Sequence, residues 1–447
     1  MAKHQIVGRR RFLQAGAVTL GGAALAPFVT ARAGVAGAAA SRGASALAKH
    51  QGPDELFRQG WFLEADRGYR RLLVRDPNNA HALARRGYIA LLSNQFEAAE
   101  TFLTRAIALA AGDTFSKRQL ANTFVRQDQL AQAVPLLEGF SDGTKERAWA
   151  VTYARISGTP NDVHGEDRTT VPFPALEPLP HFELSVNGTA PQRFIFDSGC
   201  AALVLINETA QRLGLRGLAR SHTFGAGQQL TSTHGVADVV RIGEVELHNV
   251  PVTWPDQIML PELPDGTLPA GFVGNDIFSR FLTTLDYADR RLVLRRKTNT
   301  ELQRFRAEAA RAGAEVLPLW LADHLACTLG SLNDYGPRVV LLDSGTMGLG
   351  FISIEGFARA ADIELGDLGQ DGLYHVIADQ ISLGDAVGRD MPGLVRPDSC
   401  LPFGPCPLPP DLLPFEVTGA FGHEFNKPFA LTFDYVDMNL YIAGAHK

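Results

Sequence analysis

Two stretches decide the fold: Phe194-Ile195-Phe196-Asp197-Ser198-Gly199 and Val339-Val340-Leu341-Leu342-Asp343-Ser344-Gly345. Each is a β-type apolar run that ends in an acid, a hydroxyl and a glycine. Alone, either triplet reads as an ordinary strand-to-turn ending, which Asp-Ser-Gly suits well. The frames around them match, however. A proline stands six residues before each aspartate, Pro191 and Pro337. A helix-like segment follows each, Glu208–Leu215 and Glu355–Asp362. Then comes an apolar pair with a glycine, Phe272-Val273-Gly274 and Ala420-Phe421-Gly422. These glycines lie 77 and 79 residues beyond their aspartates. Each half closes on a strand pair around a turn, Leu285-Asp286-Tyr287 to Leu292 and Phe433-Asp434-Tyr435 to Leu440. This is an internal duplication. It predicts two like lobes, residues 173–297 and 316–447, joined by a linker of helical pattern, 298–315.

The duplicated frame resembles the aspartic peptidase superfamily, pepsins and retropepsins together. There each lobe supplies an apolar-apolar-Asp-Thr/Ser-Gly loop, and an apolar-apolar-Gly segment threads behind it. The short lobes and Gly274-Asn275-Asp276-Ile277-Phe278 look more like bacterial retropepsin-like proteins, with both halves in one chain as in pepsins. The resemblance covers about residues 172–447. It implies a mainly-β bilobal acid-protease fold with Asp197 and Asp343 as the catalytic pair. Two carboxylates about 3 Å apart cannot both ionise, so one keeps a proton. The ionised member then takes a proton from an attacking water, while its partner donates to the substrate carbonyl. The resemblance further implies that Ser198 and Ser344 bond across the lobe junction. Gly199 and Gly345 would let backbone N–H groups approach the carboxylates, and Gly274 and Gly422 would let a second strand thread behind each loop. A substrate-covering hairpin falls at Phe224-Gly225-Ala226-Gly227, without the tyrosine that pepsins carry there. No metal or cofactor is expected, and the implied substrate is a peptide or protein.

Rival chemistries are not expected. His423-Glu424-Phe425-Asn426-Lys427 fails the zinc-peptidase pattern at its last ligand. A serine nucleophile elbow and a phosphate-binding loop are likewise not expected. The rival the residues leave open is a non-catalytic envelope scaffold, which would hold a peptide without cutting it. Two buried like-charged groups argue against that rival, since a pure binder has no need of them. Covalent linkage of the two lobes favours a monomer.

The front of the chain differs in kind. Gly8-Arg9-Arg10-Arg11-Phe12-Leu13-Gln14, an apolar run from Ala15 to Thr30 and Ala31-Arg32-Ala33 follow one another. This resembles a bacterial twin-arginine signal over residues 1–33, which implies a periplasmic or secreted protein with no stable membrane span after cleavage. Residues 1–33 hold five cations and no acid, so their loss would move the formal net charge from −6 to −11. Such an acidic protein is a poor partner for nucleic acid. Residues 34–52, rich in Ala, Gly and Ser, read as a flexible linker.

Residues 53–140 read as helical. Ala65, Ala99 and Ala133 are spaced by 34, each followed four residues later by Tyr69, Leu103 or Leu137, and Gly87 stands twelve before Ala99. The period resembles tetratricopeptide repeats, which implies a protein partner for this module. The first unit departs from it, with Pro53 at the Gly87 position. A polar linker is expected over 141–172. The whole is thus a multidomain α + β protein, a helical repeat module ahead of a bilobal β fold. Of four cysteines, Cys400 and Cys406 flank a Pro/Gly-rich loop, and the sequence leaves open whether they pair or stand free.

Overall fold

The computed structural model describes residues 51–225, 228–258, 260–398 and 413–444. The twin-arginine segment, most of the following linker, Gly227, Cys400 and Cys406 lie outside the described residues.

Seven helices come first: α1 (Pro53–Arg58), α2 (Phe62–Arg75), α3 (Ala80–Leu92), α4 (Phe96–Leu109), α5 (Thr114–Val125), α6 (Leu130–Glu138) and α7 (Lys145–Tyr153). Asn79, Asp113 and Thr144 start α3, α5 and α7 by accepting N–H groups that have no partner inside the helix. Ala65, Ala99 and Ala133 are fully buried. A β-carbon at Gly87 would lie 2.6 Å from Leu103 Cγ, so α3 and α4 can close only over a glycine. The irregular first unit is visible in α1, a single six-residue helix opened by Pro53.

The two lobes are the same closed barrel built twice. In the first, Gln192–Phe196 lies beside Gly271–Val273, then Leu203–Leu205, Val245–Pro255, Gln228–Ile242 and His181–Val186, which returns to the start. In the second the matching circuit is Tyr335–Asp343, Gly419–Gly422, Phe351–Ile354, Ala386–Arg396, Tyr374–Leu383 and Leu325–Leu332. Parallel and antiparallel pairings fall in the same order in both. The helix-like segments after each aspartate form short helices, Asn207–Arg212 and Glu355–Ala360. Between the lobes runs the helix Asn299–Arg311, capped by the Thr298 hydroxyl.

A third sheet fastens the lobes together. The closing hairpin of each half contributes to it, and Phe281–Asp286 pairs antiparallel with Phe429–Asp434. At the junction the buried hydroxyls of Thr284 and Thr432 lie 2.7 Å apart. Sequence shows both hairpins but not their pairing.

One expectation changes. The segment 141–172 is not a structureless linker. It holds α7 and the strands Asp162–Gly165 and Arg168–Pro172, which join the first lobe and the shared sheet. Its inward positions in the second strand are Thr169 and Val171, and the threonine hides the alternation. The helices, moreover, are not tethered but docked. Leu325, Cys327, Val339 and Leu341 of the second lobe share one apolar core with Phe57, Phe62, Tyr88 and Leu91. Val340 and Leu342 face the barrel interior instead. The unbroken apolar run Val339–Leu342 thus marks a strand covered on both faces.

Candidate active site

Each Asp-Ser-Gly loop leaves its strand at the point where a parallel strand threads beside it. Asp197 N–H donates to Val273 O at 3.1 Å, and Asp343 stands in register with Gly422. The threading glycines are needed for space. A β-carbon at Gly274 would meet Cys200 O at 2.3 Å, and one at Gly422 would meet the Asp343 carbonyl at 2.5 Å.

The loops meet at the lobe junction with near two-fold symmetry. Ser198 N–H donates to Ser344 Oγ at 3.0 Å, and Ser344 N–H donates to Ser198 Oγ at 3.0 Å. The hydroxyls donate onward to the opposite strand: Ser198 Oγ to Leu342 O at 2.9 Å, Ser344 Oγ to Phe196 O at 3.2 Å. Both serines are buried, so every one of these bonds works away from water. Gly199 N–H donates to Asp197 Oδ1 at 2.8 Å, and Gly345 N–H to Asp343 Oδ1 at 2.9 Å.

The two carboxyls lie within hydrogen-bonding reach of one another, and both are half-buried. Burial pushes Asp197 well above the usual carboxylate range, and the Asp343 charge pushes it further. Burial raises Asp343 too, opposed by the Gly345 N–H and by the His324 imidazole. Such a pair holds one proton across the pH range where isolated aspartates hold none. Cys200 beside it keeps its proton as well, since burial drives its thiol upward.

Three supporting residues escaped the sequence reading. Asn275 donates to Ser198 O at 2.8 Å and to His324 O at 2.7 Å, joining one loop to the opposite lobe. Tyr435 OH in turn donates to Asn275 Oδ1 at 3.2 Å. Thr346 Oγ1 accepts from His423 N–H at 3.0 Å, which fixes the chain beyond Gly422. The Asn at the position after Gly274 was the available signal, as a polar residue inside an apolar segment.

Phe224 and Gly225 end the strand Ala219–Gly225, whose partner begins at Gln228, so the glycine-rich segment joins the arms of a hairpin. The hairpin is anchored from outside. His222 N–H donates to Gly143 O at 2.8 Å, and Trp149 of α7 stands edge-on to His234, ring centroids 4.6 Å apart.

One string of the serine-hydrolase kind is nonetheless present. Gly139-Phe140-Ser141-Asp142-Gly143 does fit the Gly-x-Ser-x-Gly pattern. It lies between α6 and α7, in a helix–loop–helix and not in the strand–turn–helix that exposes a nucleophilic serine. His423 is fully buried, and its Nε2 lies 3.4 Å from Glu177 and 4.0 Å from Glu424, a grouping that could hold a cation. The Lys427 ammonium already lies 2.6 Å from Glu177 and 2.7 Å from Glu424.

Residues 182–277 match the family model described as aspartyl protease. The match takes in Asp197, the threading strand and Gly274, so the first lobe is an aspartic protease-like domain. Among solved structures the chain is similar to a retropepsin-like aspartic protease from Rickettsia conorii, 21% identical over 30% of this chain and 91% of that one, with a TM-score of 0.21. It is also similar to an O-GlcNAc transferase mutant from Thermobaculum terrenum, 28% identical over 22% of this chain, with a TM-score of 0.19. That match spans only 18% of the transferase. No curated protein matches the chain.

Proposed function

We propose that the protein is an exported aspartic endopeptidase, which hydrolyses peptide bonds with a water activated between Asp197 and Asp343. The observation that carries the reading is the reciprocal serine bonding, 3.0 Å in both directions, which holds two acid loops face to face across the lobe junction. The ionised carboxylate accepts a proton from the water as its oxygen attacks the scissile carbonyl carbon. The protonated carboxyl donates to the carbonyl oxygen, giving a tetrahedral diol. Collapse of the diol breaks the C–N bond, with the proton passing to the leaving amine. Neither aspartate holds one role throughout. The hairpin that ends at Phe224-Gly225 is the proposed cover over bound substrate.

The twin-arginine segment directs the folded chain to the periplasm or beyond, and the helices are a tetratricopeptide-like module. Its docking on the second lobe and its bond to the hairpin strand support a positioning role toward the cleft. The protein acts as a monomer, a reading supported by the sheet that both halves build within one chain.

The test incubates the protein lacking residues 1–33 with an unfolded protein across pH 3–8 and reads new peptide termini by mass spectrometry. Internal cleavage at some pH is expected. Tight binding with no cleavage at any pH would replace this reading with the non-catalytic scaffold.

A further inference from the structure

A second site lies where the helices meet both lobes. A cavity of about 310 Å³ is bounded by α5 and α6, the segment Pro160-Asn161, the short helix Asn275–Phe278, Lys297, Leu321 of the strand Trp320–Ala322 and the Tyr435 turn. Its volume stands at the lower end of small-ligand pockets. Neither catalytic aspartate lines it.

Its charge is unbalanced. Arg126 spends four donors on Leu91 O, Asn94 Oδ1, Leu321 O and Asp323 O, all uncharged, so its charge stands without an ion-pair partner among the described residues. Arg280 gives Nη1 to Asp128 at 2.5 Å and keeps its other guanidinium nitrogens. Lys297 at the rim makes no ion pair among the described residues; its ammonium sits 5.9 Å from the Tyr435 ring centre. Against these three cations stand Asp276, the Asp128 already paired with Arg280 and, outside the lining, Asp323 near Arg126 and Asp434 near Lys297, which are themselves paired with Lys145 and Arg306.

A polar group is also left waiting. Asn161 is 5% exposed, and its Oδ1 is buried with no hydrogen-bond partner among the described residues. An orphaned acceptor of this kind is costly unless something donates to it. Leu130, Val125 and Leu321 supply an apolar wall beside it.

We infer that this cavity binds the C-terminal residue of a peptide. The carboxylate lies between Lys297 and the free nitrogens of Arg280, the amide N–H donates to Asn161 Oδ1, and an apolar side chain rests on Leu130 and Leu321. The site connects with the candidate active site through two adjacent residues of the short helix Asn275–Phe278. Asp276 N–H donates to Ala201 O at 2.7 Å, and its neighbour Asn275 holds Ser198 O. The inference stands whether or not the dyad cuts.

The test is calorimetric titration with N-acetyl-L-leucine, using N-acetyl-L-leucine amide as the uncharged control. Saturable one-site binding of the acid is expected, with the amide at least tenfold weaker. Lys297→Met and Arg280→Gln should each weaken the acid at least tenfold, and Asn161→Leu should weaken acid and amide alike. Absence of saturable binding, or equal binding of acid and amide, would overturn the site. Wild-type affinity in Lys297→Met would do the same, since that binding would lie elsewhere. The acid–amide comparison uses the unaltered protein, so it decides even where a variant fails to fold.

Discussion

Gly199 of the first lobe backs directly onto Asp343 of the second: a β-carbon there would lie 2.5 Å from Asp343 Oδ1. The converse holds for Gly345, where it would lie 2.8 Å from Asp197 Oδ1. Each loop thus depends on the other loop's glycine for room, which couples the halves of the duplication more tightly than the matching motifs alone suggest.

Gly199→Ala and Gly345→Ala should therefore leave the barrels folded and displace the opposite carboxylate. A displacement of about 1 Å costs catalysis about a hundredfold. The check is peptide cleavage alongside a melting curve. Full activity in either alanine variant would mean that the loops do not meet as described.

The carboxyl pair should weaken the fold at neutral pH. Both folded pKa values are raised above the unfolded 3.8, by burial first. The stability linked to the protonated forms is fully present below that unfolded value and is lost as pH rises through the folded ones. Asp197→Asn should consequently stabilise the protein at pH 7 by about 1–3 kcal/mol, since each tenfold rise in proton affinity on folding corresponds to about 1.4 kcal/mol. The gain should vanish near pH 3.5. Denaturant unfolding at both pH values measures it, and a variant less stable than wild type at pH 7 would contradict the raised pair.

Ser198 and Ser344 act as one device. Replacing either by alanine removes a hydroxyl that both donates and accepts, at a cost of about 1–3 kcal/mol. The double variant should cost less than the two singles together, because each serine loses its partner only once. Threonine retains the hydroxyl and should retain most of the stability. Strict additivity in the double-mutant cycle would separate the two serines.

The legibility of the chain followed from what its pattern repeats. The aspartates, serines and glycines were readable because the duplication set each beside a copy in the same frame. The barrel circuits were not, since pairing order is a long-range property that period-two alternation does not carry. The docking of the helices was half-visible. Val339–Leu342 is apolar at every position, which calls for cover on both faces, yet nothing in the run names the cover. Asn275 and Thr346 were missed because their partners are backbone groups brought near only by the closed lobes. The first strand of the shared sheet hid behind Thr169, a polar residue turned inward to meet the Glu244 N–H at 3.0 Å.

The docked surface makes its own prediction. Val339 is 1% exposed between the helices and the second barrel. Val339→Asp would bury a carboxylate with no partner and should cost about 3 kcal/mol or more. Val387→Asp, at a 40% exposed position, should stay within about 0.5 kcal/mol of wild type. Equal small effects at both positions would mean that the helices swing free of the lobe.

The central claim is that Asp197 and Asp343 form one proton-sharing pair, and separate Asp197→Asn and Asp343→Asn substitutions test it most directly. Each variant, shown folded by its melting curve, is given an unfolded protein substrate at the pH where the wild type is fastest. The account predicts that either substitution alone removes cleavage by at least a thousandfold, because neither carboxyl can both activate the water and polarise the carbonyl. Substantial cleavage by either variant would contradict it.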